Sequence, residues 1–440
     1  MIRWGTQTRL AVANFPISGE PMPRAVIRAI AQVKAEAAAV NLAHGVIDGA
    51  TAGSIVRAAD EVLDGAFDDQ FPVDVFQTGS GTSTNMNVNE VIAHRATELA
   101  GVDVHPNDHV NASQSSNDVV PSALRIAAAH TIERALLPAL RGLHHALAEQ
   151  SRRHRDTVTL GRTHLMDAVP ITFGQEAGGW ARAVELGVER LEAVMPRLLE
   201  LPLGGTAVGT GLNAPPRFGA EMAARLAART GLTLVEAADH FEAQGHQEVF
   251  VEVSGAVRAA AMGLHTIAMN VRLLGSGPTG GLGELVVPEL QAGSSIMPGK
   301  VNPVIAEVVQ QVAAQVVGND AAITFAAGTT SMLQLGTGLP VIARNLMSSL
   351  DLLTAAATVF DERCIRGLLV DAERMRTAAL GSPALVTALA PRIGYDAASR
   401  LVHLMSERGE SLAEVARTEG VAGIDDLDLL ALARPHRTVP

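Results

Sequence analysis

Gly293-Ser294-Ser295-Ile296-Met297-Pro298-Gly299-Lys300-Val301-Asn302-Pro303 is the stretch on which the reading of this chain turns. Two glycines and a proline break any regular element up to Lys300, so a loop is predicted there. Gly299 lets the backbone approach a ligand closely. Beyond the loop, Ile305, Val308, Val309, Val312 and Val316 recur at helical spacing, which predicts a buried helix from Pro303 to Gly318. Asn302 stands where an N-cap belongs and Pro303 where a first helical residue belongs. The pattern is a donor-rich loop with a helix N-terminus behind it, suited to a small anion. The same residues also suit an ordinary surface loop ahead of a capped helix.

The rest of the composition narrows the class. The chain has 440 residues, enough for two or three domains and a large core. It is 48% hydrophobic but only 3% aromatic, so its core depends on wide helix-on-helix contacts between small aliphatic side chains. A net charge of -12 argues against a nucleic-acid footprint or a basic membrane surface. No apolar run is long enough to span a bilayer. The single cysteine, Cys364, excludes an internal disulfide and a cysteine-ligated iron–sulfur cluster within one chain.

Helical patterns are predicted over Arg24 to Asn41 (Val26, Ile27, Ile30 and Val33 on one side), Thr51 to Leu63, Val88 to Leu99, from Pro121 to about Glu149, Val169 to Leu201, Phe241 to Leu274 and Leu339 to Val359. Long helices with polar loops between them suggest an antiparallel bundle. The polar connections carry the chemistry. Gln77 to Asn87 alternates glycine with hydroxyl residues and would turn N–H groups and hydroxyls on an anion. Ser113-Gln114-Ser115-Ser116-Asn117-Asp118 reads both as a serial N-cap and as a second carboxylate cradle. Gly161-Arg162-Thr163-His164-Leu165-Met166-Asp167-Ala168-Val169-Pro170 is expected just ahead of a helix. His105 and His109 are four apart, but Pro106 opposes a helix there and no third ligand stands nearby, so no metal is expected. The glycine-rich Gly204 to Gly211 is not a phosphate loop, because no Gly-Lys-Ser/Thr ends it.

The Gly293–Pro303 string resembles the signature loop of the fumarase/aspartase superfamily in its class II fumarase form. The loops at 77–87, 105–108, 113–118 and 161–170 resemble further family motifs, in family order. The resemblance begins at Trp4-Gly5-Thr6-Gln7, which leaves little to cleave, so a cytoplasmic enzyme is expected. It implies a mainly α, three-domain protomer: an N-terminal domain (1–113), a central helical-bundle domain (114–365) and a small C-terminal domain (366–440), the last ending in an acidic helical segment with Asp425, Asp426 and Asp428. It also implies a homotetramer with a shared helical core, active sites drawn from several subunits, and no cofactor.

The reaction implied is the reversible hydration of fumarate to (S)-malate, with an ammonia-lyase for aspartate, or a lyase for another succinyl substrate, as the alternative on the same scaffold. Histidine at 164, where the aspartate branch usually carries glutamine, favours the hydratase. By resemblance, Ser294 is the proton-abstracting base, His164 the acid for the leaving hydroxide, and Glu307 the partner that tunes the histidine. Ser80, Gly81, Thr82, Ser115, Ser116, Asn117, Thr163, Ser295, Lys300, Val301 and Asn302 bind substrate, and His105, Pro106, Asn107 and Asp108 form a secondary dicarboxylate site. Gly293 and Gly299 flank the reactive loop as hinges often do. Two features depart from the family or its hydratase branch: Gly336 and Gly338 at helical positions where a Glu-Leu-Asn string is usual, costing about 1 kcal/mol each; and Val304-Ile305 with Gln291-Ala292, which look like the aspartase branch.

Overall fold

Val26, Ile27, Ile30 and Val33 are all buried on one helix, Arg24–Ala43. Each contributes roughly 1.5–3 kcal/mol by leaving water. The structure is a computed structural model that describes residues 2–421 and 428–433. It is mainly α. The helices Thr82–Ala100, Ser116–Thr131, Phe173–Leu198, Glu248–Leu274, Val304–Thr330 and Leu339–Phe360 form its long elements. Among the described residues, every named strand belongs to a two-stranded ladder, and no helix is long and apolar enough to cross a membrane. Asp425 and Asp426 lie outside the described residues. Asp428 accepts hydrogen bonds from the backbone N–H groups of Leu430 and Ala431 at the head of the short Leu429–Ala433 helix.

The chain divides into two compact units, each assembled from three stretches. The first comprises Met1–Ala139, Gly187–Met262 and Val312–Ala355. Here the Arg24–Ala43 helix packs against Gly49–Leu63 and Ser116–Thr131, and buried Ala31, Ala35 and Ala38 let the backbones approach. Glu90 accepts hydrogen bonds from the N–H groups of Gly5, Gln7 and Thr8 and from the Thr8 hydroxyl. A carboxylate thus sits at the positive end of the Thr6–Asn14 helix, where the helix dipole favours it.

The second unit comprises Leu140–Leu186, Gly263–Gln311 and Ala356–Pro440. Its hairpin pairs Val158–Thr163 with Met166–Thr172. Val158 and Leu160 enter one apolar cluster with Leu385, Leu389, Leu401 and Met405 from the C-terminal helices.

Several expectations are corrected. The 161–170 motif is the hairpin itself, and the helix expected from Val169 begins only at Phe173. Val169, Ile171 and Thr172 are β-branched and suit a pleated strand, and Pro170 sits at an interruption of the register. The 241–274 stretch is two helices, His240–Gly245 and Glu248–Leu274. Gly336 and Gly338 are not helical: the preceding helix ends at Thr330, Leu335–Gly336 pairs with Ser331–Met332, and the next helix starts at Leu339. Both glycines stand where a Cβ would strike a neighbour, Gln247 at 2.8 Å for Gly336 and Thr330 Oγ1 at 2.5 Å for Gly338.

Candidate active site

In the first unit, two helix N-termini are brought side by side. Gly81 is the N-cap residue of Thr82–Ala100, with φ of 75°, and a Cβ on it would meet Val120 Cγ1 of the Ser116–Thr131 helix at 2.8 Å. Glycine is therefore required twice over, by backbone conformation and by close approach. Ser80 Oγ and Thr82 Oγ1 are hydrogen-bonded at 2.8 Å. Ser115 caps the second helix in a capping box with Asp118. Asn85 Nδ2 donates to Ser116 Oγ at 3.1 Å and so ties the two starts together. The hydroxyl groups of 80–82 and 115–116 thus gather at two positive helix ends, an arrangement that favours a carboxylate. Asn117 Nδ2 donates to the Ala207 carbonyl at 2.8 Å.

Two buried charged groups beneath this place were not singled out in the sequence. Asp118 accepts hydrogen bonds from the N–H groups of Ser115, Gly204 and Thr206, which folds the glycine-rich 204–211 segment onto the cap. Burial pushes the Asp118 carboxyl up to about 6, although those bonds and Lys34 oppose the shift. Lys34 is fully buried, and its ammonium donates to Asn111 Oδ1 at 2.8 Å and Gln114 Oε1 at 3.1 Å. Burial pushes it down to about 7, partly offset by Asp118. Asn111 Oδ1 also accepts from Asn85 and Asn89, so one network links Lys34 to the helix bearing Ser116.

The 105–108 segment lies in the same unit. Pro106 does not oppose a helix: it is the first residue of a single π-helical turn, Pro106–Val110, where its missing N–H leaves no bond unmade. His105 Nδ1 accepts from the Asp108 N–H, and His109 Nδ1 accepts from the His105 N–H. Asn107 and Asp108 share with Ser115, Gln114 and Thr206 a cavity of about 390 Å³. Pro106 lines a different cavity, beside Arg3 and Trp4.

The second unit holds the signature loop. Asn302 does not cap the following helix, which begins at Val304. Its Nδ2 instead donates to the Gly293 carbonyl at 2.7 Å. The Gly293 N–H donates to the Lys300 carbonyl at 3.0 Å and the Lys300 N–H to Met297, so the loop is closed on itself. Inside it, Ser294 Oγ accepts from the N–H groups of Ile296 at 3.2 Å and Met297 at 3.1 Å. Ser295, Lys300 and Val301 are exposed, and Ser294 is half-buried. Thr163 and His164 stand exposed at the hairpin tip. Glu307 pairs with Arg272 at 3.5 Å; neither hydrogen bond nor ion pair joins His164 to Glu307 or Ser294 among the described residues.

These motifs coincide with a family match along nearly the whole chain. The Lyase family profile matches residues 2–318, and the fumarase C C-terminus profile matches 385–435. A "Fumarate hydratase class II" of Mycobacterium tuberculosis is 50% identical over 99% of this chain and 93% of its own length. The chain belongs to the class II fumarate hydratase family. Another relative of that name, from Corynebacterium efficiens, is 48% identical over the same shares of both chains. The crystal structure of a recombinant class II fumarase from Schistosoma mansoni superposes with a TM-score of 0.96 at 35% identity, covering 99% of this chain and 96% of that one. In this fumarase-family chain the hydroxyl-rich loops fall in one unit, and the signature loop and histidine hairpin in the other.

Proposed function

We propose that the chain is a hydro-lyase that catalyses the reversible hydration of fumarate to (S)-malate. The difficult step is removal of a proton from the carbon beside a carboxylate, which leaves a dianionic aci-carboxylate. Ser294 is the base. A serine hydroxyl is weak at its ordinary pKa, and the observation that carries the reading is the aim of two backbone N–H groups at its oxygen. Donors already in place where negative charge develops are each worth roughly 3–4 kcal/mol. Lys300 and Asn302 hold one substrate carboxylate, with Thr163, Ser295 and Val301 around them and with Ser80, Gly81, Thr82, Ser115, Ser116 and Asn117 supplied from the paired helix starts. His164 protonates the leaving hydroxide, a contribution of roughly 10²–10⁴-fold. Glu307 pairs with His164 and tunes its charge in the assembled enzyme. His105, Pro106, Asn107 and Asp108 form a secondary dicarboxylate site.

The assembly we propose is a homotetramer whose active sites combine loops of different subunits. Val308, Val317 and Phe325 are exposed on the long Val304–Thr330 helix, which suits burial against other copies. The division into domains 1–113, 114–365 and 366–440 is proposed with it, since both boundaries fall between α-helices. An ultraviolet assay on purified protein with malate, aspartate and related acids tests the reaction. Malate is expected to yield the unsaturated acid and aspartate to be inert; turnover of aspartate without turnover of malate overturns the reading in favour of the ammonia-lyase.

A further inference from the structure

The turn that carries His164 is strained. Thr163 pairs with Met166 across the hairpin, so His164 and Leu165 alone make the connection, with φ of 55° and 61°. Positive φ at both central residues is the type I′ arrangement that asparagine and glycine favour. A leucine there is a genuine outlier, and such strain persists only where the surroundings over-determine it. Leu165 is 72% exposed, so its own burial supplies little of the restraint.

The restraint lies two residues before the histidine. Arg162 Nη1 donates to Glu284 Oε2 at 3.0 Å, Nη2 bonds Glu284 Oε1, and Nη1 also donates to the Leu160 carbonyl of its own strand at 3.3 Å. The register shifts between Leu160 and Arg162, so the guanidinium grips the strand where its ladder is interrupted. Glu284 is 1% exposed and is itself fixed. Its N–H donates to the Leu274 carbonyl at 2.8 Å, and its carbonyl accepts from the Asp371 N–H at 3.0 Å. Arg162, Glu284 and Leu165 line one cavity of about 120 Å³. A two-pronged guanidinium–carboxylate bond sets angle as well as distance.

We propose that Arg162 and Glu284 are positioning residues for the hydration reaction: their partly buried ion pair holds the strained His164–Leu165 turn in the geometry that presents the imidazole as proton donor to the leaving hydroxide. The inference rests on the proton-donor assignment of His164 made above. Arg162 and Glu284 touch no reacting atom; they act through the hairpin. When the pair is broken, the turn relaxes toward negative φ and the imidazole leaves its place.

The test compares steady-state kinetics of Glu284→Gln and Arg162→Lys with those of the unaltered enzyme, each checked for folding and assembly. Lysine keeps a cation but loses the two-pronged bond, which keeps the proposal testable if Glu284→Gln does not fold. The expected result is a fall in kcat of about 10²-fold, the size typical of a misplacement near 1 Å, with KM changed no more than a few-fold. Adding Leu165→Gly should restore part of the lost kcat, because glycine accepts positive φ without a clamp. Unchanged kcat in both single variants, or a loss that follows the folded fraction and is not relieved by Leu165→Gly, overturns the proposal. His164→Gln separates the two levels. Full turnover in that variant removes the proton-donor reading. Loss there with unchanged kcat in Glu284→Gln and Arg162→Lys removes the clamp and leaves the reading standing.

Discussion

The Asn302 carboxamide donates to the Gly293 carbonyl at 2.7 Å, across the full width of the signature loop. The Gly293 N–H returns a bond to the Lys300 carbonyl at 3.0 Å. The loop that holds Ser294 is therefore a closed ring, and its closure needs a residue without a side chain at 293. A Cβ there would lie 2.1 Å from the Lys300 carbonyl oxygen. Gly293→Ala is expected to lower kcat by about 10²-fold through displacement of the Ser294 oxygen. Because the loop is largely exposed, the unfolding midpoint should hardly move. Kinetics and thermal unfolding of one preparation check both halves of the expectation.

Gly299 makes a different demand. Its φ is 76°, and open space surrounds its missing Cβ. Gly299→Ala therefore meets only the backbone cost of a left-handed residue, roughly 1–2 kcal/mol. Gly299→Pro cannot adopt this conformation, since proline fixes φ near −65°. The proline variant should slow turnover far more than the alanine variant, with little effect on folding. Full turnover with full folding in Gly299→Pro would count against a loop that must take this shape over the substrate.

Gly338→Ala separates the structure from the helical expectation for this residue. In a helix interior the change would stabilise by about 1 kcal/mol. In the structure the new methyl group would lie 2.5 Å from Thr330 Oγ1 and 2.9 Å from the Ala326 carbonyl oxygen. A loss of about 1–3 kcal/mol is expected from such overpacking, read as a lower urea midpoint without a change in slope.

What could be read in advance, and what could not, follows the range of the interactions. The Val26, Ile27, Ile30, Val33 stripe repeats within one helix, so its period was visible. The hydroxyl-rich loops were visible for the same reason, their donors being adjacent in sequence. The sequence suggests a cap at Asn302 because that preference is local, whereas its real acceptor lies nine residues back, at Gly293. Val169 to Thr172 read as helical because the apolar run continues into Phe173–Leu198, and its pairing with Val158–Leu160 is a tertiary fact. Lys34 lies on the same apolar stripe, seven residues after Ile27, and a lysine on such a stripe is the one local sign of a buried charge. Its acceptors at Asn111 and Gln114, the Asp118 bonds to Gly204 and Thr206, and the Arg162 contact with Glu284 all join residues more than seventy positions apart. No local pattern announces such pairs.

Lys34 gives a pH dependence with a definite sign. Burial holds its ammonium at about 7 in the folded chain, against an ordinary 10.5. Between those values the unfolded chain binds a proton at this site that the native chain does not. Stability therefore rises with pH across that window, and below about 7 the burial penalty is fully present. Lys34→Met removes the titrating group. The difference in unfolding free energy between the unaltered enzyme and Lys34→Met should grow in favour of the former from pH 7 to 10. Parallel curves over that range would show that the ammonium is not depressed by burial.

The measurement that bears most directly on the whole account is the turnover of malate by Ser294→Ala. If two backbone N–H groups prepare this oxygen to carry the charge of a base, its removal lowers kcat by at least about 10²-fold, while the helix content and KM remain near those of the unaltered enzyme. Turnover retained within a few-fold in a folded Ser294→Ala enzyme would contradict it.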